Sequence, residues 1–187
     1  MSTLTENERF ERLTSAPPKG DFEACSFHHC DLSGSDLSGY RFSDCEFADC
    51  DLSLCKLANT AFREVTFNRC KLMGLFFDRC NGIGLSFRFE TCILDHSSFY
   101  RIKIPKTVFL DCRMHEADLT ECDLTGASFT GCDLFNAKFS GTILEKADLR
   151  GAMNYSINPA GNRIRKAAFS IQGIRGLLDQ YDISITE

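Results

Sequence analysis

The chain has no tryptophan, only four prolines and four histidines, and no apolar run near the roughly 18 residues that a helical membrane span needs. The N-terminus, "MSTLTENERFERLTSAPPKG", lacks the basic start and apolar core of an export signal. These absences predict a cytoplasmic protein with no membrane partner. Basic excess is missing too: 21 Lys/Arg stand against 26 Asp/Glu, a net charge of −5. A protein that binds nucleic acid directly by neutralising phosphates would carry a basic face, so none is expected to bind here. The acid is unevenly spread, with residues 1–149 holding 16 bases against 23 acids and residues 150–187 five against three. Eleven cysteines, an odd number with no export signal, argue for a reducing compartment rather than a disulfide framework.

The apolar residues follow neither a helical nor a strand period. In "CEFADCDLSLCKLANTAF" (45–62), Phe47, Leu52, Leu57 and Phe62 lie five apart. The same phase runs from Phe22 through Phe77 to Phe87 with one exception, Gly82, then slips by two and continues from Leu94 to Leu149. All eleven cysteines fall two residues before a position of this phase, Cys80 before the exceptional Gly82, where chance would put one in five. A fixed short repeat sustained over this length marks a solenoid, whose units bury their apolar faces only by stacking.

Every fourth centre, twenty residues on, keeps its chemistry, so four repeats make one coil. Phe27, Phe47, Phe67 and Phe87 continue past the slip as Phe109 and Phe129, and Cys30, Cys50, Cys70, Cys92, Cys112 and Cys132 form a parallel row. The unbroken Cys row places the extra residues in "RFET", between Phe87 and Cys92, as a corner bulge. On this register Arg88, Phe89 and Glu90 stand at a corner, where Phe89 either offers a contact or folds back onto the wall. The centre and the residue two before it point inward, three residues form each wall and two turn each corner.

The stretch "ADLTECDLTGASFTGCDLFNAKF" resembles the pentapeptide-repeat family. That resemblance implies an all-β solenoid, a right-handed quadrilateral parallel β-helix, over residues 20–153, with 1–19 as an N-terminal lead or cap. The remainder, 154–187, reads as a C-terminal cap and dimerisation segment. There Ser170 is a fair N-cap, and Ile171, Ile174, Leu177, Leu178 and Tyr181 lie at helical spacing. An α-helical cap followed by a short strand, Ile183 to Ile185, is the expectation. The stripe serves either to close the rod end or to pair two copies, with Ile174, Leu177, Leu178 and Tyr181 at the interface.

No catalytic, cofactor or metal site is expected. Cys25 and Cys30 fall on successive walls, His28 and His29 occupy outward slots, and a filled rod gathers no side chains into a pocket. The outward slots carry acids, among them Asp31, Asp51, Asp118, Asp123 and Asp133. They form either a solubilising surface or an acidic rod shaped for a basic groove.

"SFRFETCILDHSSFY", "NYSINPAGNRIRKAAFS" and "GLLDQYDISI" narrow the resemblance to bacterial topoisomerase-poison immunity proteins of the albicidin-resistance type. Microcin-immunity, mycobacterial and plasmid quinolone-resistance proteins are more distant. The implied properties are dimerisation through the C-terminal segment, mimicry of DNA by the five acids, and binding to DNA gyrase, with topoisomerase IV as a second target. A structural or scaffold protein with an unrelated partner is the alternative.

Overall fold

Within each five-residue unit the centre and the residue two before it face one way, and a short parallel strand is the structure that honours this alternation. A computed structural model describes residues 3–184, and in it the units wind as a parallel all-β solenoid. On one wall β1 (Thr3–Glu6), β3 (Gly20–Glu23), β5 (Arg41–Ser43) and β7 (Ala61–Arg63) pair in that order. On a second, β2 (Arg9–Glu11), β4 (Ser26–His28), β6 (Glu46–Ala48), β8 (Val65–Asn68), β9 (Phe87–Glu90) and β10 (Val108–Leu110) make a six-stranded sheet. Single parallel bridges carry the other two walls, as in Asp31↔Asp51↔Lys71↔Ile93↔Arg113↔Asp133↔Met153 and Ser98↔Asp118↔Lys138.

The core is the column of centres. Phe27, Phe47, Phe67, Phe89, Phe109 and Phe129 are fully buried and stack ring on ring, with centroids 4.5 to 5.4 Å apart. Stacking at this distance follows from the strand spacing of about 4.8 Å. The smaller inward slot asks for a compact side chain with a donor that reaches the coil before. Cys50 and Cys70 point their Sγ at the carbonyls of Phe27 and Phe47, 3.3 Å away in each case. Thr60 and Thr142 fill the same kind of slot and donate to Leu37 and Leu119 at 2.7 and 2.8 Å. All eleven cysteines are free thiols, and every one but the half-buried Cys80 is buried.

Corners take a residue in the left-handed region two positions after the centre. Gly34 (φ 67°) does this without a Cβ penalty, and Leu54 (φ 60°) does it against its preference. On the bridge walls a turn bond closes the corner, such as Ser35 N–H to the Leu32 carbonyl at 3.0 Å. The geometry is that of a type II turn.

Three sequence expectations change. First, Phe67 pairs with Phe89, not Phe87, so "RFET" is not a bulge: Arg88, Phe89 and Glu90 belong to β9 and Thr91 (φ 53°) is an ordinary corner. The ladder holds a twenty-residue offset at Asn81, whose N–H bonds the Thr60 carbonyl, and reaches twenty-two at Val65↔Phe87. The two extra residues therefore lie in 82–86, "GIGLS", where Gly84 (φ 70°) turns the chain and Ile83 is 73 % exposed. Phe87 occupies the smaller inward slot and meets Phe62 and Phe77 at 5.6 and 5.2 Å.

Second, no α-helix forms among the described residues of the tail. Ile174–Leu177 and Asp179–Tyr181 are 3-10 turns. Ser170 caps no helix: its Oγ accepts from the Gly173 N–H at 3.2 Å within the turn ahead of Ile174–Leu177. The tail then lies against Tyr155 so closely that a Cβ on Gly176 would sit 2.0 Å from the Tyr155 carbonyl oxygen. That backbone contact, together with two glycines in one turn, displaces the helix. Third, Asp182 is left-handed and Ile183 and Ser184 are not in a strand, while Ile185 lies outside the described residues. Ladder bonds also run on past Asn154, through Ile143↔Arg163 and Asp148↔Ala168.

Candidate functional site

With the interior filled, chemistry is confined to the outer walls and the C-terminal end. The five acids face outward, but they do not share a wall. Asp31, Asp51 and Asp133 belong to one column, Asp118 to the next wall beside Ser98 and Lys138, and Asp123 to the wall after that between Lys103 and Ile143. Each is also engaged locally. Asp31 accepts from the Ser33 N–H and hydroxyl at 3.1 and 2.7 Å, and these bonds hold its carboxyl below the usual range. Asp118 and Asp123 accept from the N–H groups of Thr120 and Thr125. Asp51 lies 3.6 Å from the Lys71 ammonium.

Asp133 is the most elaborated. His115 Nε2 is 2.8 Å from one oxygen, and Asn154 donates to the other at 2.7 Å. Desolvation works to raise this carboxyl's pKa, and the bonds from Asn154 and His115 outweigh it, leaving it below the usual value. One coil earlier Arg113 grips the nearly buried Asp95 with two nitrogens, and Asp95 accepts the His115 N–H at 3.1 Å. Ion pairs of this kind join successive coils elsewhere, Arg69 to Asp49 and Arg101 to Glu121. Much of the surface charge is therefore spent within the rod.

Of the three residues assigned to a bulge, Arg88 is exposed and pairs with a half-buried Glu90. Phe89 is fully buried between Phe67 and Phe109 and offers no outside contact. The apolar side chain that does project near the slip is Ile83, whose only sequence signal is the failure of Gly82 as a centre. At the C-terminal end Ile174 and Tyr181 are 47 % and 58 % exposed, Leu178 is half-buried, and Leu177 packs on the core. An open cleft at this end is lined by Phe135, Met153, Tyr155, Arg175 and Asp179, and by none of these four. Among the described residues no group of three or more His, Cys, Asp or Glu is placed to hold a metal ion, and no helix is long and apolar enough to cross a membrane.

A family model for pentapeptide repeats matches residues 112–151 in eight copies, and a model for a pentapeptide repeat region matches residues 20–88. The chain belongs to the pentapeptide-repeat family. Its fold resembles a trypsin-treated form of QnrB1, a plasmid-mediated fluoroquinolone resistance protein, at 18 % identity, covering 100 % of both chains with a TM-score of 0.63. A second trypsin-treated form of QnrB1 matches at 17 % identity over 99 % of this chain and 98 % of that one, with a TM-score of 0.62. HetL, a pentapeptide-repeat protein involved in heterocyst differentiation regulation in the cyanobacterium Nostoc, superposes more loosely, at 19 % identity over 89 % and 84 % of the chains and a TM-score of 0.47. No curated protein matches the chain significantly. This pentapeptide-repeat rod thus shares its fold, end to end, with a resistance protein.

Proposed function

We propose that this pentapeptide-repeat rod, wound right-handed, binds bacterial DNA gyrase in the cytoplasm and protects it from a topoisomerase poison, with topoisomerase IV as a second target. The supporting observation is the end-to-end likeness to QnrB1, described as a fluoroquinolone resistance protein. The rod offers its target charge rather than chemistry, and acts by binding, without a catalytic step. Carboxylates displayed at strand spacing along a rod are suited to a basic groove that otherwise holds DNA phosphates, and occupying that groove either competes with DNA or helps release the poison. Two rods joined end to end through the C-terminal segment, with Ile174 and Tyr181 as the exposed contacts, would span about 60 Å, or roughly 18 base pairs.

The dispersal of the five acids over three walls, several of them already paired, favours a second reading: a structural or scaffold protein whose partner is unrelated to gyrase. A supercoiling assay separates the two. Purified gyrase inhibited by a fluoroquinolone, titrated with the protein, recovers supercoiling on the first reading. On the second it stays inhibited at every ratio.

A further inference from the structure

One wall of the rod divides its charge by position. It is built on Phe22, Phe42 and Phe62 before the loop at 82–86, and on Ile104, Leu124, Leu144 and Ile164 after it. Before the loop its outward and corner positions carry Glu6, Asp21, Glu23, Asp44 and Glu64 against Arg41 and Arg63. After the loop they carry Lys103, Lys106, Lys146, Arg163, Arg165 and Lys166 against Asp123 and Glu145. The wall is thus −3 on one side and +4 on the other, in a chain of net charge −5. Internal pairing leaves the division in place. Arg41 is taken up by Asp21 and Arg163 by Glu145, whereas Glu6, Glu23, Asp44 and Glu64, against Arg63, and Lys103, Lys106, Lys146, Arg165 and Lys166, against Asp123, have no ion-pair partner among the described residues. At the midpoint stands Ile83, 73 % exposed on the inserted loop.

We propose that this wall pairs with the same wall of a second copy, antiparallel, about a two-fold axis at Ile83. Such an axis sets each coil before the loop against the equally distant coil after it on the partner. The Glu64 coil then faces the Lys106 coil, the Glu23 coil faces Lys146, and Glu6 faces Arg165 and Lys166. Arg41 comes opposite Asp123. The contact is isologous, so every complementary pair occurs twice, and the two Ile83 side chains meet in the centre and leave water. A parallel arrangement would oppose like charges coil by coil, which rejects it. This side-wall contact is separate from the C-terminal end and does not depend on the gyrase reading.

The test is crosslinking of Ile83→Cys protein with a bismaleimide, wild type serving as control because its cysteines are buried or, at Cys80, half-buried. Two further variants carry Ile83→Cys with Lys106→Glu, Lys146→Glu and Lys166→Glu, or with Glu6→Lys, Glu23→Lys and Glu64→Lys. All six charges are exposed, so melting temperatures should stay near the parent's. The parent should crosslink to a dimer. Each charge variant alone should lose the product by roughly tenfold or more, since like charges then face each other, and an equimolar mixture should recover it. Raising salt from about 50 mM to about 0.5 M should weaken the parent's crosslink, because screening shortens to a few ångströms. No dimer from the parent, or no recovery in the mixture, overturns the proposal. Duplex DNA retained by the parent and lost in the triple Lys→Glu variant, with no recovery of crosslinking in the mixture, assigns the basic half to nucleic acid instead.

Discussion

Replacing Phe89 with alanine decides the register of the whole C-terminal half. Its ring lies 5.4 Å from Phe67 and 5.2 Å from Phe109, nearly parallel to both, and meets Phe77 and Phe99 edge-on at 5.8 and 6.2 Å. Truncating a buried Phe costs about 3–5 kcal/mol through lost burial and the cavity left behind. With a urea dependence of about 2 kcal/mol per molar, the midpoint should fall by about 1.5–2.5 M. Coils of a solenoid touch only their neighbours, so amide exchange should quicken first in β8, β9 and β10. Arg88→Ala, one residue away and exposed, should stay within about 0.5 kcal/mol of the parent. Had Phe89 stood at a corner, the two variants would behave alike, and equal small shifts in the urea melts would refute the register.

Three further outcomes follow from the packing. Burial pushes the Cys45 thiol up to about 11 and Cys55 to about 12, so both are protonated at neutral pH, and labelling by a disulfide reagent should proceed no faster than unfolding. Rapid labelling of several cysteines in the native protein would contradict the packed column. The bonds from Asn154 and His115 hold the folded Asp133 carboxyl below its ordinary value, so the stability it lends is present above the unfolded pKa and is lost as pH falls through the folded one. Asn154→Ala should raise that titration toward the ordinary value in a carbon-detected NMR experiment, and an unmoved midpoint would remove Asn154 from the cause. Gly176→Ala puts a Cβ against the Tyr155 carbonyl and should undock the tail, read as faster proteolysis after Ser170 with the rod's own unfolding nearly unchanged. A tail equally protected in that variant would mean the close approach is not what holds it.

The five-residue period, the four-row coil and the inward cysteines were legible because a solenoid repeats one burial rule at every position. The slip was not. In "FRFE" both Phe87 and Phe89 face inward, so either can serve as the centre, and only the pairing with Val65 and Phe67 chooses between them. Tail positions at helical spacing looked like a helix because spacing says nothing of the Gly176 contact with Tyr155, a partner twenty-one residues back. Ile164 and Phe169 hold the same five-residue phase as Leu144 and Leu149, yet Asn154 and Pro159 stand where centres would, which hid the coil that continues to Ala168. The acids could be assigned to outward slots from the sequence. Their division among three walls follows from the four-row register, but the pairing of Asp133 with His115 and Asn154 depends on side-chain reach between coils.

The most direct measurement of the gyrase reading is equilibrium binding of purified gyrase to the wild-type rod and to a variant in which Asp31, Asp51, Asp118, Asp123 and Asp133 are all asparagine. Every one faces outward, four of them half-buried, and the substitution keeps the side chains' shape and an acceptor oxygen; the loss of the Asp133 charge should lower the melting transition somewhat, so binding is compared well below it. If the rod presents charge to a basic groove, wild type binds, added salt weakens the complex as screening over about 8 Å at physiological strength requires, and the variant binds more weakly by roughly tenfold or more. No measurable binding of wild type, or equal binding of a folded variant at every salt concentration, would contradict it.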